Sequence, residues 1–341
     1  MAFSPLAPTA PEPLPGRRGG RRAVGRLSPR LSFLLRRLGR LVVSLAIVVV
    51  ATFLIIHLVP GDPVRAVLGP SASTELVARV RGELGLDKPL LTQFTDYVAG
   101  LFRGDLGVSL QSHRTVVDTI AQRLPATLIL ALVSFLVAAL GALPIGIATA
   151  IVARGGRHRL VDLGAAGLLG LLILIPNFLL AVGLIALFNI ALGALPAAGW
   201  GTPAQAVLPV LALAIGPLAY LARIVHVEMV AVLDAPYMLT ARSKRLPGHL
   251  LHLRHALPNM LTSALTIGGM ILSGLVAATV LIETIFAIPG LGSTIVGSIT
   301  AKDYPMAQGI VLVYATLVLL LNLIVDLVLV TVDPRSSISE G

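Results

Sequence analysis

The polar segment 234–262 is where the second half of the chain could do chemistry. Its three histidines, His249, His252 and His255, recur every three residues, which places neighbouring imidazoles on adjacent helical turns and could ligate a metal ion. No carboxylate lies near them to orient the rings, so we expect no metal here. The same segment carries four basic side chains, Arg242, Lys244, Arg245 and Arg254. A basic segment between two apolar runs is expected to face the cytosol and meet a partner there.

Short catalytic motifs are missing from the sequence. There is no G-x-x-x-x-G-K-[ST], so the chain cannot cradle ATP phosphates, and energy must come from another subunit. There is no H-E-x-x-H or G-x-S-G, which argues against an intramembrane protease; His226 and Glu228 form only H-x-E. The absence of cysteine excludes disulfides and thiolate chemistry. We therefore expect a non-enzymatic chain that binds no cofactor itself.

Composition places the chain in a membrane. Of its 341 residues, 56% are hydrophobic and only 12% are charged, and the mean hydropathy is +0.93. Backbone groups in hydrocarbon must be satisfied internally, so spanning elements are helices or closed barrels. The long unbroken apolar runs favour helices over the short alternating segments of a barrel. The predicted fold class is all-α.

Arginine dominates the start of the chain. No acidic residue lies among the nine arginines that precede the first apolar run, and the formal net charge of the chain is +10. This pattern favours retention on the cytosolic side and attraction to anionic membrane lipid, and we expect no nucleic-acid partner. Residues 1–30 are rich in Pro, Gly, Ala and Arg and are predicted to be disordered.

Six apolar runs are long enough to cross a bilayer, at about 41–59, 125–152, 163–192, 207–227, 259–282 and 306–330. The predicted divisions are a disordered extension 1–30, a first transmembrane helix 31–59, an extracytoplasmic loop 60–124, a five-helix core 125–335 and a tail 336–341. Short helices are expected in the loop at 75–84 and 91–102, where apolar residues have helical spacing. Prolines 176, 209 and 217 should interrupt their spans, and spans two to five are the expected pore lining.

An even number of crossings returns the chain to its starting side. Six spans with cytosolic termini place all three basic segments (the N-terminus, 154–159 and 234–258) on the cytosolic side, whereas the charges of loop 60–124 balance. Trp200, the only tryptophan, follows span three and is expected to be an interfacial anchor.

The cytosolic loop 234–258 is predicted to form two short helices. Asp234 can cap a helix with Pro236 in its first turn. Pro247 and Gly248 suit the centre of a type II turn, and a second helix should begin near Leu250 and run into span five. Four residues of the first helix are expected on one face, Tyr237, Thr240, Ala241 and Lys244. This is more structure than a connection needs, so we predict a docking role.

An ordered set of short motifs resembles one family. The motifs are PGDP (60–63), LGLDKPL (84–90), GDLGVS (104–109), RLPATL (123–128), TARSK (240–244), RHALPN (254–259), ETIFAIPGLG (283–292), KDYP (302–305), NLIVD (322–326) and DPR (333–335). Over about 59–335 the chain resembles the permease subunit of peptide-type bacterial ABC importers, the dipeptide/oligopeptide/nickel family. Each motif is weak alone, but their order is specific.

The resemblance implies a multi-pass protein of the bacterial cell membrane with several partners. These are a second homologous permease, two ABC ATPase subunits that bind ATP and Mg²⁺, and an extracytoplasmic substrate-binding protein. In this family the loop before span five carries the "EAA" motif, which docks into the ATPase; Leu239, Thr240 and Ala241 occupy the name-giving positions. The predicted ATPase-coupling residues are Asp234, Tyr237, Thr240, Ala241, Arg242, Lys244, Arg245, Pro247, Gly248, Arg254 and His255. The predicted contacts with the binding protein are Gly61, Asp62, Asp105, Pro289, Gly290 and Asp303.

Two positions depart from the family pattern. The motif's glycine falls on Arg245, which adopts positive φ poorly, and an expected proline falls on Ser263. We infer that the bend has moved downstream to Pro247 and Gly248, which leaves the docking surface itself open.

Other functions remain alternatives at this stage. A secondary transporter would carry ionisable residues deep in its spans, but spans one to three have essentially none at their centres, and Glu283 and Asp326 lie towards span ends. A membrane scaffold would leave the interrupted helices unexplained. Within the resembling family, the cargo could be a di- or oligopeptide, a nickel chelate or glutathione.

Overall fold

The computed structural model describes residues 29–58, 63–69, 71–83, 85–154, 159–244 and 247–332. In these ranges the chain is helical, with one isolated antiparallel bridge between Val108 and Thr115. The helices are α1 (Pro29–Leu58), α2 (Pro63–Leu68), α3 (Thr74–Glu83), α4 (Leu90–Phe102), α5 (Val116–Arg154), α6 (Arg159–Leu174), α7 (Asn177–Leu184), α8 (Pro203–Asp234), α9 (Pro236–Ser243), α10 (Gly248–Leu250), α11 (Leu257–Ile285), α12 (Leu291–Thr300) and α13 (Tyr304–Val332). Two π-helical stretches, Ile185–Ala191 and Leu251–Ala256, extend α7 and α10. The all-α prediction is confirmed.

Five of the described helices are long and apolar enough to cross a membrane, namely α1, α5, α8, α11 and α13. A sixth crossing exists if the pair Leu163–Leu174 and Asn177–Ala191 counts as one span, although the two halves are bent by 98°. The bend occurs at Pro176, whose φ of −59° and ψ of 142° are extended rather than helical. Proline has no N–H and disfavours helix in the residue before it, so the predicted break in span three is confirmed.

The other prolines do not interrupt their helices. Pro209 and Pro217 lie inside the continuous helix α8, and Pro125 and Pro144 lie inside α5. The expectation of breaks at Pro209 and Pro217 is therefore wrong. Helix α8 packs against α5, α6, α7 and α11, and this enclosure stabilises a helical path that the prolines alone would disfavour.

Capping residues set where α5 and α8 begin. The Thr115 hydroxyl accepts a hydrogen bond from the Asp118 amide at 3.1 Å and starts α5 upstream of the expected Pro125. At α8, Thr202 and Gln205 form a reciprocal capping box, and Pro203 follows in the first turn. Both helices are consequently longer than the apolar runs within them.

The centre of the structure is the pair α5 and α8, on which α6 and α11 also pack. Glycine lets the two backbones approach: a Cβ on Gly146 of α5 would stand 2.6 Å from the Ala222 carbonyl oxygen of α8. Helix α11 in turn contacts α13, and α13 contacts α1. A glycine also allows close packing of α11 and α13, because a side chain on Gly269 would overlap Val325.

Gly146→Ala should destabilise the protein even though alanine is the better helix former. The propensity gain of about 1 kcal/mol is outweighed by overpacking, which costs about 1–3 kcal/mol and here involves a rigid backbone carbonyl. The measurement is the thermal unfolding midpoint of the detergent-solubilised chain. Gly164→Ala is the matched control, since nothing lies within 4 Å of its added Cβ. Equal midpoints for the two variants would contradict the close α5–α8 approach.

Candidate functional site

The segment between α8 and α11 begins with a sharp change of direction. Helix α8 ends at Asp234, and Ala235 is extended, with a φ of −64° and a ψ of 146°. Pro236 is then the first residue of α9, where its missing N–H costs nothing. The predicted helix with Pro236 in its first turn is present. Asp234, however, is the last residue of α8 rather than the cap of α9.

Helix α9 has one buried and one exposed side. Met238 is fully buried, and it packs in a cluster with Leu233 of α8 and Met260 of α11. Ala241, one turn after Tyr237, is only 9% exposed, so this member of the predicted face is buried although its helical spacing is as expected. The exposed side carries Tyr237, which is 46% exposed, together with Thr240 and Lys244. Helix α9 therefore presents a polar surface while an apolar anchor fixes it to the spans.

The second half of the segment is helical from Gly248 onward. Pro247 is extended, with a φ of −61° and a ψ of 145°, and stands before the first residue of α10, which is Gly248. A type II turn needs positive φ at its second central residue, and Gly248 does not have it. The predicted type II turn is therefore not formed. Arg245, where the sequence departs from the family pattern, lies outside the described residues.

Helices α10 and α11 form one path through the intervening π-helical stretch. In that stretch Arg254 is exposed, His255 is half-buried and Ala256, its last residue, is fully buried. Met260, at the start of α11, is also fully buried in the cluster that holds Met238. Helix α9 is thus packed against the stretch that leads into a membrane-spanning helix.

At the opposite end of α11, a buried carboxylate holds the start of α12. The Glu283 side chain is fully buried, and its Oε2 accepts from the Ser293 amide at 3.1 Å. Its Oε1 accepts from the Thr127 hydroxyl of α5 at 2.7 Å. That hydroxyl accepts in turn from the Leu291 amide at 2.9 Å. Because Gly290 has no side chain with which to cap α12, Glu283 and Thr127 satisfy its first amides instead.

The tight turn before α12 depends on glycine. A Cβ on Gly290 would overlap the Glu283 carboxylate, and a Cβ on Gly292 would stand 2.5 Å from the Val280 Cα. Ala287 adopts a left-handed φ of 51°, a conformation that residues other than glycine rarely adopt. The motif ETIFAIPGLG therefore encodes a carboxylate, a turn and the helix that the carboxylate caps.

A second buried carboxylate fixes the outer segment before α5. Asp303, only 3% exposed in the turn between α12 and α13, accepts from the Ser109 hydroxyl and, at 3.1 Å, from the Leu110 amide. Asp105 is exposed, and its Oδ1 accepts from the Gly107 amide at 2.8 Å. Asp303 is thus buried, although it belongs to the lining of an open cleft, and its contact with a binding protein stays a prediction.

The outer helix α4 folds back onto α1. The rings of Phe53 and Phe94 meet edge to face at 5.2 Å, and the hydroxyls of Thr52 and Tyr97 lie 3.1 Å apart. Burial raises the pKa of the Tyr97 phenol above its ordinary value. The loop 60–124, predicted to be extracytoplasmic, is thus a folded part of the structure where it is described.

An open polar cleft of about 330 Å³ separates the outer segment from α12. Hydroxyls dominate its walls, and the guanidinium-bearing Arg123 of α5 lines it with no ion pair among the residues that the structure describes. Its lining includes Ser109, Ser112, Thr119, Arg123, Thr294 and Asp303. This polar lining suits a hydrated, polar ligand rather than a lipid acyl chain.

Sequence comparison decides the family. The model of the binding-protein-dependent transport system inner membrane component matches residues 142–338, and the N-terminal model of the same transport systems matches residues 30–131. The chain belongs to this permease family. It is a multi-pass component of the cell membrane, as the spans indicate.

Curated relatives of the permease extend over nearly its whole length. A peptide transport system permease protein of Brucella suis biovar 1 (strain 1330) is 38% identical over 312 residues, which is 89% of this chain and 98% of the relative. A glutathione transport system permease protein of Salmonella typhi is 36% identical over 304 residues, with the same coverage of both chains. Among solved structures, an inward-facing MetNI methionine ABC transporter aligns with a TM-score of 0.52 at 20% identity, over 63% of this chain and 96% of the other. That last similarity concerns the fold alone.

The predicted site residues of the permease fall into three groups. Tyr237, Thr240, Lys244 and Arg254 are exposed on or beside α9 and α10, and Pro289 and Asp105 are exposed at the opposite end of α11. Gly290 and Asp303 are buried. Gly61, Asp62 and Arg245 lie outside the described residues, and for Arg242 the structure gives only its place in α9.

Sequence reasoning missed two residues of the permease that matter structurally. Thr127 and Met238 were not singled out, yet Thr127 joins α5 to α12 and Met238 anchors α9. A signal existed for Met238, since it and Leu239 are the long aliphatic side chains of the short helix α9. No local signal identified Thr127, because its partner Glu283 is 156 residues away.

Proposed function

We propose that this permease forms half of the translocation path of an ATP-driven importer of short peptides. Its near-full-length similarity to a peptide transport system permease protein supports the cargo class. Its own lack of a nucleotide-binding motif requires that ATP and Mg²⁺ bind partner ATPase subunits. Specificity among peptides is assigned largely to a separate extracytoplasmic binding protein.

The observation that carries the coupling role is the two-sided character of α9. Tyr237 and Thr240 of α9, with Lys244 just after its end, are exposed, whereas Met238 and Ala241 are buried. A helix whose polar side is exposed and whose apolar side packs on α8 and on the π-helical stretch that leads into α11 can pass a displacement from a cytosolic partner to the membrane. An ordinary connection between spans needs neither feature.

The partners follow from the same arrangement. A second homologous permease completes the path, because six spans enclose little on their own. Two ATPase subunits dock on α9 and its counterpart in the second permease. At the outer end, Asp105, Pro289 and the polar cleft beside Arg123 form the surface offered to the binding protein and its cargo.

The test is purification of the tagged permease from its own membranes, followed by transport assays in vesicles. ATPase subunits and a second permease should copurify, and short peptides should stimulate ATP hydrolysis in the presence of the binding protein. Uptake should stop when ATP is removed while a proton gradient is maintained. Uptake that follows the proton gradient without ATP would instead establish a secondary transporter.

Glutathione is a second candidate cargo, because a glutathione transport system permease protein is 36% identical to this chain with the same coverage. The same vesicles can distinguish the two cargoes by competition. An excess of glutathione should leave the uptake of labelled di- and tripeptides nearly unchanged if peptides are the cargo. Strong inhibition by glutathione, with little by peptides, would reverse the assignment.

A further inference from the structure

A small basic cleft lies between α1 and α13, near the first turns of α1 and the last turns of α13. Its volume is about 100 Å³, and its walls include Arg37, Arg40, Ser44, Asn322 and Asp326. The proposed peptide path does not use this cleft, which opens on the outside of the helix pair. It lies beside the arginine-rich start of the chain.

The cleft has one positive charge in excess. Arg37 Nη1 lies 2.8 Å from Asp326 Oδ2, so these two side chains largely neutralise each other. Arg40 is one turn further along α1; it lies close enough to Asp326 to interact with it electrostatically, but it forms no ion pair within the part of the chain that the structure describes. Its guanidinium is therefore available to an anion.

Neutral donors accompany this charge. The Ser273 hydroxyl donates to Asn322 Oδ1 at 2.7 Å and so fixes the orientation of the Asn322 amide. The two N–H donors on Asn322 Nδ2 then remain for the cleft that this residue lines. With the Ser44 hydroxyl on the facing helix, the cleft combines a fixed amide, a hydroxyl and a guanidinium, all of which can donate to an oxyanion.

Aliphatic side chains also line the cleft, namely Leu41 of α1 and Leu319 and Leu323 of α13, and further aliphatic residues of the two helices are exposed. On α1, Val43 is 59% exposed and Ile47 is 63% exposed; on α13, Leu320 is 42% exposed. These residues lie deeper in the spanning windows of the two helices than the arginines do. A molecule held at Arg40 would thus have a charged end in the cleft and an apolar path alongside it.

We propose that this cleft binds the phosphate of an anionic phospholipid whose acyl chains lie along α1 and α13. A phosphate is small enough for the cleft, carries the complementary charge and uses the donors present. Basic pockets between helices at the membrane surface select anionic head groups in this way. Free phosphate shares the chemistry of the head group, but only a lipid also uses the aliphatic surface.

The test measures lipid retained by the complete chain, purified with whatever partners accompany it, and needs no transport activity. After incubation with phosphatidylglycerol or phosphatidylcholine vesicles, native mass spectrometry should show preferential retention of phosphatidylglycerol. Arg40→Gln should lower that retention about tenfold or more, the value expected when a direct hydrogen bond between charged groups is lost. Arg36→Gln is the matched control, because Arg36 is exposed on the same helix but does not line the cleft.

A second variant guards against misfolding of the first. Asn322→Asp keeps an acceptor for Ser273 but places a negative charge in the cleft, and it should reduce phosphatidylglycerol retention at least as much as Arg40→Gln. Millimolar inorganic phosphate should not displace the lipid. Equal losses for Arg36→Gln and Arg40→Gln, displacement by inorganic phosphate, or no preference between the two lipids would each overturn the proposal.

Discussion

Replacing Glu283 by alanine should lower the thermal unfolding midpoint of the purified permease more than any other single change considered above. The buried carboxylate accepts from the Ser293 amide and the Thr127 hydroxyl, and the variant leaves both donors without an acceptor. Hydrogen bonds to a buried charged group contribute about 1.5–3 kcal/mol each, so the loss should reach roughly 3 kcal/mol or more. The start of α12 should loosen first.

The chain supplies its own probe for this measurement. Trp200 is the only tryptophan, and it packs on the apolar cluster that contains Phe286. The neighbouring Gly199 amide donates to the Phe286 carbonyl at 2.8 Å, which ties the tryptophan loop to the end of α11. Tryptophan fluorescence therefore reports on the region that Glu283 organises.

Two substitutions of Thr127 separate the hydrogen-bond relay from simple packing. Thr127→Val keeps the volume but removes the hydroxyl that serves both Leu291 and Glu283, so it should lower the midpoint substantially. Thr127→Ser keeps the hydroxyl and should stay close to the parent protein. Thr284→Val controls for the loss of a hydroxyl at an exposed position next to Glu283. Equal midpoints for the valine and serine variants of Thr127 would show that the relay contributes nothing.

How far the sequence predicts this fold depends on whether the signal is local. Long apolar runs located the spans, and Pro176 located the break, because hydropathy and the missing proline N–H act within a few residues. The start of α5 was also present in the sequence, as the capping pattern Thr115-Val-Val-Asp118, but the apolar run beginning near Pro125 dominated the prediction. Continuity through Pro209 and Pro217 depends on packing by four other helices, which no local pattern contains.

The same contrast between local and distant signals applies to the candidate site. The basic character of segment 234–262 and the position of Pro236 predicted a structured cytosolic segment. Which residues of α9 are exposed was predictable only in part, because Ala241 belongs to the predicted docking face but is buried in a cluster that also holds residues of α8 and α11. Burial of Asp303 and Glu283 could not be foreseen, since each carboxylate is enclosed by segments distant in sequence.

The corrected geometry of the coupling segment changes which substitution tests its role. With Gly248 at the start of a helix, Gly248→Ala should be tolerated, and its added Cβ would make only an ordinary 3.8 Å contact with His252. Removing the supposed turn at Pro247 and Gly248 is therefore a poor test of coupling. The exposed side of α9 is the better target.

The double variant Tyr237→Ala/Thr240→Glu should abolish productive association with the ATPase while leaving the permease folded. Both side chains are exposed, so the fluorescence midpoint of Trp200 should hardly change. Loss of a central aromatic contact and insertion of a charge typically cost an interface about 2 kcal/mol or more, which weakens binding roughly thirtyfold. Copurified ATPase and ATP-driven uptake should fall together.

Two further variants serve as controls. Met238→Ala removes a fully buried side chain, so it should lower the unfolding midpoint as well as the coupling. Arg103→Ala, exposed on the opposite side of the membrane in the predicted topology, should affect neither quantity. Wild-type uptake by the double variant would show that the exposed side of α9 does not couple this permease to its energy source.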